Sequence, residues 1–154
     1  LRIYEVNDDK VKLEIKNKYD IHQLKESLII NREDAKELIN RNYKVLLKYK
    51  DDLANKLYLL LNEGYYPKVI IEYDRVAYTT RNNTRITFDL NVRKSSDVEM
   101  FFEEKINFYE LTDKKDVILE VKFDRYLEPY IADIINKYSS QNGSISKYVM
   151  GRNE

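Results

Sequence analysis

Thr84-Arg-Ile-Thr-Phe-Asp-Leu90 alternates at period two, which sets Arg85, Thr87 and Asp89 on one side of an extended strand and apolar neighbours on the other. Val11-Lys-Leu-Glu-Ile-Lys-Asn-Lys18 does the same with Glu14, Lys16 and Lys18, and Ile118-Leu-Glu-Val-Lys-Phe-Asp124 with Glu120, Lys122 and Asp124. A half-solvated antiparallel sheet produces such a pattern. Several such strands in one domain, with cations interleaved among carboxylates, also suit a barrel whose interior binds a polyanion together with a divalent cation.

Outward from these strands, Leu1–Val6 reads as an earlier strand, joined to Val11–Lys18 through the turn-rich tetrad Asn7-Asp8-Asp9-Lys10. Gln23–Ile30 reads as another strand. At Asn31 the period becomes helical: Asn31 is a capping residue with Asp34 three positions on, and Ala35, Leu38, Ile39, Val45 and Leu46 form a stripe. A second helix is expected from about Asp51 to Asn62 on Leu53, Leu57, Leu60 and Leu61, with Gly64 ending it. Pro67 opens a strand segment, Lys68 to Thr80, which Arg81-Asn82-Asn83 turns into Thr84–Val92. Lys105–Leu111 and Asp116–Asp124 are expected as a hairpin around Thr112-Asp113-Lys114-Lys115. A last helix starts near Pro129, with Ile131, Ile134, Ile135 and Tyr138 on one face, and the chain closes in a loop and a short polar tail. Mostly antiparallel strands with three helices outside them define an α+β domain over residues 1–154.

The composition narrows the chemistry. Without cysteine there is no disulfide framework, thiolate zinc site or cysteine nucleophile. A metal would have to be held by oxygen or by the single His22, which favours Mg²⁺ or Mn²⁺, and His22 itself falls in an expected turn. Lys+Arg 27 against Asp+Glu 27 gives no net charge, which argues against nucleic acid as a partner but leaves room for a local basic pocket. No membrane-spanning run and no signal segment is read in the chain, so a cytoplasmic protein is expected. With only three glycines there is no glycine-rich phosphate loop, and Ser146 lacks the histidine a triad nucleophile needs. The 14 tyrosines would serve base stacking, but Tyr43, Tyr58, Tyr65, Tyr66 and Tyr138 lie on or beside helices, where packing is the expected use. The chain opens at Leu1 inside a strand without an initiator Met, so residues upstream are expected to be missing.

Ile71-Glu-Tyr-Asp-Arg-Val-Ala-Tyr78, Asn83-Thr-Arg-Ile-Thr-Phe-Asp89, Ile118-Leu-Glu-Val-Lys-Phe-Asp124 and Ser144-Ile-Ser-Lys-Tyr148, in that order, resemble the VTC domain, with Leu1-Arg-Ile-Tyr4 and Leu13-Glu-Ile-Lys16 fitting its early strands. That domain is the polyphosphate polymerase domain of the vacuolar transporter chaperone complex and of many bacterial proteins, within the triphosphate tunnel metalloenzyme or CYTH-like superfamily. The resemblance implies an antiparallel β-barrel tunnel with helices outside. Its basic lining would hold triphosphate, with a carboxylate-bound Mn²⁺ or Mg²⁺, and the γ-phosphate of ATP would be transferred to a polyphosphate chain. A triphosphatase of the same fold and a non-catalytic polyphosphate-binding module remain alternatives, because all three need the same cations around the same anion.

The resemblance also carries residue roles. Arg2 matches the second arginine of the family's Arg-x-Arg strand, whose first arginine would precede Leu1. Lys16 matches the lysine of its Glu-x-Lys strand, and Lys25 the lysine of the next. Arg75 and Arg85 match the arginines of the central hairpin, Glu120 the metal-binding glutamate, and Ser146 and Lys147 the C-terminal pair that closes on the phosphates. Ser144 stands where some relatives carry another lysine. Arg2, Lys16, Lys25, Arg75, Arg85, Ser146 and Lys147 are therefore the expected phosphate ligands, with Arg75, Arg85, Lys16 and Lys147 in catalysis and Glu120 on the metal. Without the resemblance, Arg85 and Asp89 would read as cross-strand partners on a wet face, and Glu120 with Lys122 as a surface pair, each contributing a few tenths to about 1 kcal/mol.

Overall fold

The computed structural model describes residues 1–19, 22–80, 82–138, 143 and 145–152; the side chains of Lys18, Tyr19, His22 and Gln23 also lie outside the description. The chain forms two compact units, one comprising Leu1–Lys68 with Ser96–Asn107 and the other Val69–Ser95 with Phe108–Glu154.

In the first unit, β1 (Lys10–Tyr19) and β2 (His22–Asn31) make a long antiparallel hairpin in which Val11 faces Ile30, Leu13 faces Leu28, and Lys16 faces Lys25. Period two then sends Val11, Leu13 and Ile30 to one face, where they are buried. On that face lie α1 (Arg32–Ile39) with Ala35 and Leu38, a 3₁₀ turn (Tyr43–Lys48) with Leu46, and α2 (Asp52–Asn62) with Leu53, Ala54 and Leu57. Phe102, from a loop following a 3₁₀ turn at Val98–Met100, completes the core.

Both helices begin where the sequence says they should. Asn31 accepts from the Asp34 amide at 2.7 Å, and the Asp51 carboxylate accepts from Leu53 and Ala54 at 2.8 and 3.3 Å. The expected stripe through Val45 and Leu46 is interrupted, because Arg41 takes φ 64° and the chain resumes as the 3₁₀ turn. Leu1–Val6 is not a strand over its length. Only Arg2 bridges to Lys12, while the Asp8 carboxylate accepts from the amides of Tyr4 and Glu5 at 2.8 and 3.0 Å and folds the segment into a turn. Arg32 helps to hold that turn by donating to the Val6 carbonyl, and its guanidinium lies over the Phe102 ring.

The second unit is a four-stranded antiparallel sheet. β3 (Ile70–Thr79) pairs with β4 (Arg85–Ser95), and the other edge of β4 carries β5 (Tyr109–Glu110) at one end and β6 (Ile118–Lys122) at the other. The expected hairpin between Lys105–Leu111 and Asp116–Asp124 is thereby corrected. The two segments do not pair with each other; both pair with β4, at Arg93–Lys94 and at Arg85–Asp89. An eleven-residue strand offers more edge than either short partner can cover, and two partners laid end to end satisfy more of its backbone groups.

α3 (Pro129–Tyr138) follows and buries Ile131, but leaves Ile134 and Tyr138 exposed. The polar tail is also corrected: it holds α4 (Lys147–Arg152), capped by Ser146, whose hydroxyl accepts from the Val149 amide at 3.4 Å. Gly151 is buried against Ile71, and a Cβ there would collide with that side chain. Of the tyrosines expected to pack, Tyr43 and Tyr58 line the first unit's core, while Tyr65, Tyr66 and Tyr138 are exposed.

The architecture is therefore α+β with antiparallel sheets. The pairings among the described residues are those of a hairpin and an open four-stranded sheet.

Candidate functional site

The second unit assembles its charged side chains on one face of the sheet. Arg75 lies opposite Asp89 in the β3–β4 register, and Thr87 lies between Ala77 and Glu120. Asp89 is wholly buried, at 0% exposure, and is engaged through both oxygens. Arg75 donates from Nε to Oδ1 at 2.6 Å and from Nη2 to Oδ2 at 2.7 Å, a fork that only a guanidinium can form. Lys147, brought in by α4 and 16% exposed, sets its Nζ 2.5 Å from Oδ2. Both cations also lie 5.0 Å from the ring of Tyr73.

Glu120 stands beside this cluster. Its Oε2 is 3.8 Å from Arg75 Nη2, its Oε1 is 3.0 Å from Lys122 Nζ, and its side chain is 40% exposed, so it can still meet a solute. Arg85 is on the same face and exposed, and it makes no ion pair among the described residues. Carboxylates at Asp89 and Glu120 thus face cations at Arg75, Arg85, Lys122 and Lys147, an excess of positive charge in a chain that has none overall.

The titration behaviour follows this geometry. Burial by itself would raise both carboxyl groups. Hydrogen bonds from Arg75 and Lys147 outweigh it at Asp89, and Lys122 does so at Glu120, so both are held below the ordinary carboxylate range. Arg75 is driven further into its charged form, first by the hydrogen bond to Asp89.

The first unit gathers a second basic cluster on the polar face of its hairpin. Glu14, 10% exposed, has Lys25 Nζ 2.8 Å from Oε1, Lys12 Nζ 3.7 Å from the same oxygen and Arg2 Nη2 3.5 Å from Oε2. Lys16 is exposed, directly across from Lys25. Burial would raise the Glu14 carboxyl, but its bond to Lys25 and the charge of Arg2 hold it low.

The expected site residues therefore fall into two groups. Arg75, Arg85, Glu120 and Lys147 share the sheet face, and Arg2, Lys16 and Lys25 share the hairpin face. Ser146 spends its hydroxyl on capping α4 beside Lys147, and Ser144 lies outside the described residues. Lys12 and Tyr73 carry no expected role in the sequence, yet each touches a site group. The period-two signal puts Lys12 on the same face as Glu14, and Tyr73 two residues before Arg75.

A cation-rich face with a half-exposed carboxylate has the charge to attract an anion. The family model of the VTC domain matches residues 1–154, the whole chain, and the protein belongs to that family. Its function is accordingly polyphosphate-related. Neither the curated proteins nor the solved structures yield a match.

Proposed function

We propose that this domain is a metal-dependent polyphosphate polymerase that transfers the γ-phosphate of ATP to a polyphosphate chain, with its strands closing a basic tunnel around the anion. The observation that carries the reading is the convergence of Arg75 from β3, Lys147 from α4 and Glu120 from β6 on one sheet face. Phosphoryl transfer needs little covalent help and much charge neutralisation, and this set of groups supplies it.

In that role Arg75, Arg85 and Lys147 bind oxygens of the transferring and acceptor phosphates, and Lys16, with Arg2 and Lys25, binds other phosphates of the polyanion. Arg85 brings a guanidinium fork without an ion pair among the described residues, and Ser146 supports Lys147 at the start of α4. The γ-phosphorus bond to the bridging oxygen breaks, a bond to a terminal oxygen of the chain forms, and ADP leaves with the bridging oxygen. Cations around both oxygens stabilise the charge as it moves.

The described residues contain no cluster of three or more His, Cys, Asp or Glu able to hold a metal alone. Glu120 fits Mn²⁺ or Mg²⁺ as the protein ligand of an ion that fills its shell from phosphate oxygens and water, whereas Asp89 is consumed by Arg75 and Lys147. Such an ion, held by Glu120, would supply positive charge against bound phosphate. No helix among the described residues is long and apolar enough to cross a membrane.

The test is incubation of the protein with ATP and Mn²⁺ while free phosphate and acid-insoluble polyphosphate are followed together. Polymer formation is the expected result. Phosphate release without polymer makes the domain a triphosphatase, and triphosphate binding without turnover makes it a polyphosphate-binding module.

A further inference from the structure

We infer that Asp89 is a positioning residue that locks Arg75 and Lys147 into a single phosphate clamp and couples the C-terminal helix to it. This inference rests on the polyphosphate reading above. With 0% exposure and both oxygens occupied, the Asp89 carboxylate does not present itself to a ligand; whatever it does for phosphate it does through its partners.

Its partners come from elements far apart in sequence. Arg75 is fixed on β3 at Nε and Nη2, and its Nη1 donors, in the same plane, have no partner among the described residues, so the direction in which they point is set by the fork. Lys147 has a flexible stem and no fork of its own. It is held by Asp89 Oδ2 and by the Tyr73 ring that also supports Arg75. At the other end of the six-residue α4, the buried Lys94 donates to the Gly151 carbonyl at 3.4 Å, and Gly151 lies against Ile71. The helix is thus fastened to β3 and β4 at both ends, and the fastening at its first turn is Asp89.

A simple counter-charge would act in the opposite sense. Asp89 sits among cations, so removing its charge raises the positive potential of the face and would by itself tighten a polyanion. Positioning predicts the reverse, because cations freed from the carboxylate lose the orientation that the phosphate needs.

The decisive measurement is calorimetry of tripolyphosphate binding with Mn²⁺ at fixed salt, comparing the parent with Asp89→Asn. Parent binding with a loss on the order of tenfold in the variant is expected. Equal or tighter binding by the variant overturns the inference while leaving the polyphosphate reading intact; a parent that does not bind tripolyphosphate overturns both. The Arg75 Nε–H resonance should be slow to exchange in the parent and lose that protection in the variant, a local signature that general loosening at another site would not produce.

If Asp89→Asn does not fold, Lys147→Met and Arg75→Lys test the same coupling with the carboxylate in place. Their combined loss should be smaller than the product of the separate losses, since both cations work through one group. Independent effects overturn the coupling.

Discussion

Each unit surrounds a carboxylate with cations on a sheet face, yet the two carboxylates are held differently. Asp89 in the β3–β4 sheet receives a guanidinium fork at 2.6 and 2.7 Å and is closed from solvent. Glu14 on the β1–β2 hairpin receives single contacts at 2.8 to 3.7 Å from side chains that remain about a third exposed. Direction is specified in the first arrangement and mainly charge in the second. In the proposed polymerase the sheet face would orient a reacting phosphate, and the hairpin face would hold a polyanion by its field.

The largest effect expected from this difference concerns Glu120, the half-exposed carboxylate beside the sheet cluster for which the hairpin cluster has no equivalent. Glu120→Gln should abolish Mn²⁺-dependent turnover of ATP while leaving the unfolding midpoint near that of the parent. Parent-like activity in this variant would remove the residue from the site.

Stability should separate the two carboxylates next. Asp89→Ala strands Arg75 and Lys147 with their common partner gone and should cost about 2–3 kcal/mol in urea unfolding, below the full penalty of a broken buried pair because both cations retain some water. Glu14→Ala should cost about 1 kcal/mol or less, since its partners are exposed and can be re-solvated. Equal losses would erase the contrast between the clusters.

Acid should reveal the same asymmetry as a smaller effect. Both carboxyls lie below their ordinary values in the folded protein, so each contributes stability that is present above the unfolded carboxylate range of about 4 and is lost as pH falls through the depressed native value. Asp89→Asn should therefore flatten the acid limb of a stability-versus-pH curve. An unchanged limb would show that the lowered Asp89 carboxyl is not a source of acid sensitivity.

Much of this was legible in the residues. The period-two runs placed Arg85, Thr87 and Asp89 on one face and Glu120 with Lys122 on another strand, and the structure registers Thr87 against Glu120 and Arg85 against Lys122. The capping side chain of Asn31 marked the first helix start, because a cap is a local hydrogen bond that needs no distant partner, and the leucine spacing that follows Asp51 marked the second. α4 was not legible. Six residues span less than two turns and show no period, and the helix is anchored by Lys94, Ile71 and Asp89, which lie far away in sequence.

The sequence alone determined which side chains share a strand face, where the first two helices begin, and the ordered motifs that mark the VTC domain family, because each of these depends on spacing along the chain. Depth and partnership were decided only in three dimensions. Alternation tells on which face Asp89 lies, but only the pairing of β4 with β3 and β6 and the docking of α4 bury it, give it Arg75 and Lys147, and leave Arg85 exposed at the end of the same face. The physical reason is that the energy of an ion pair depends on the water removed from around it, and that water is displaced by residues distant in the chain.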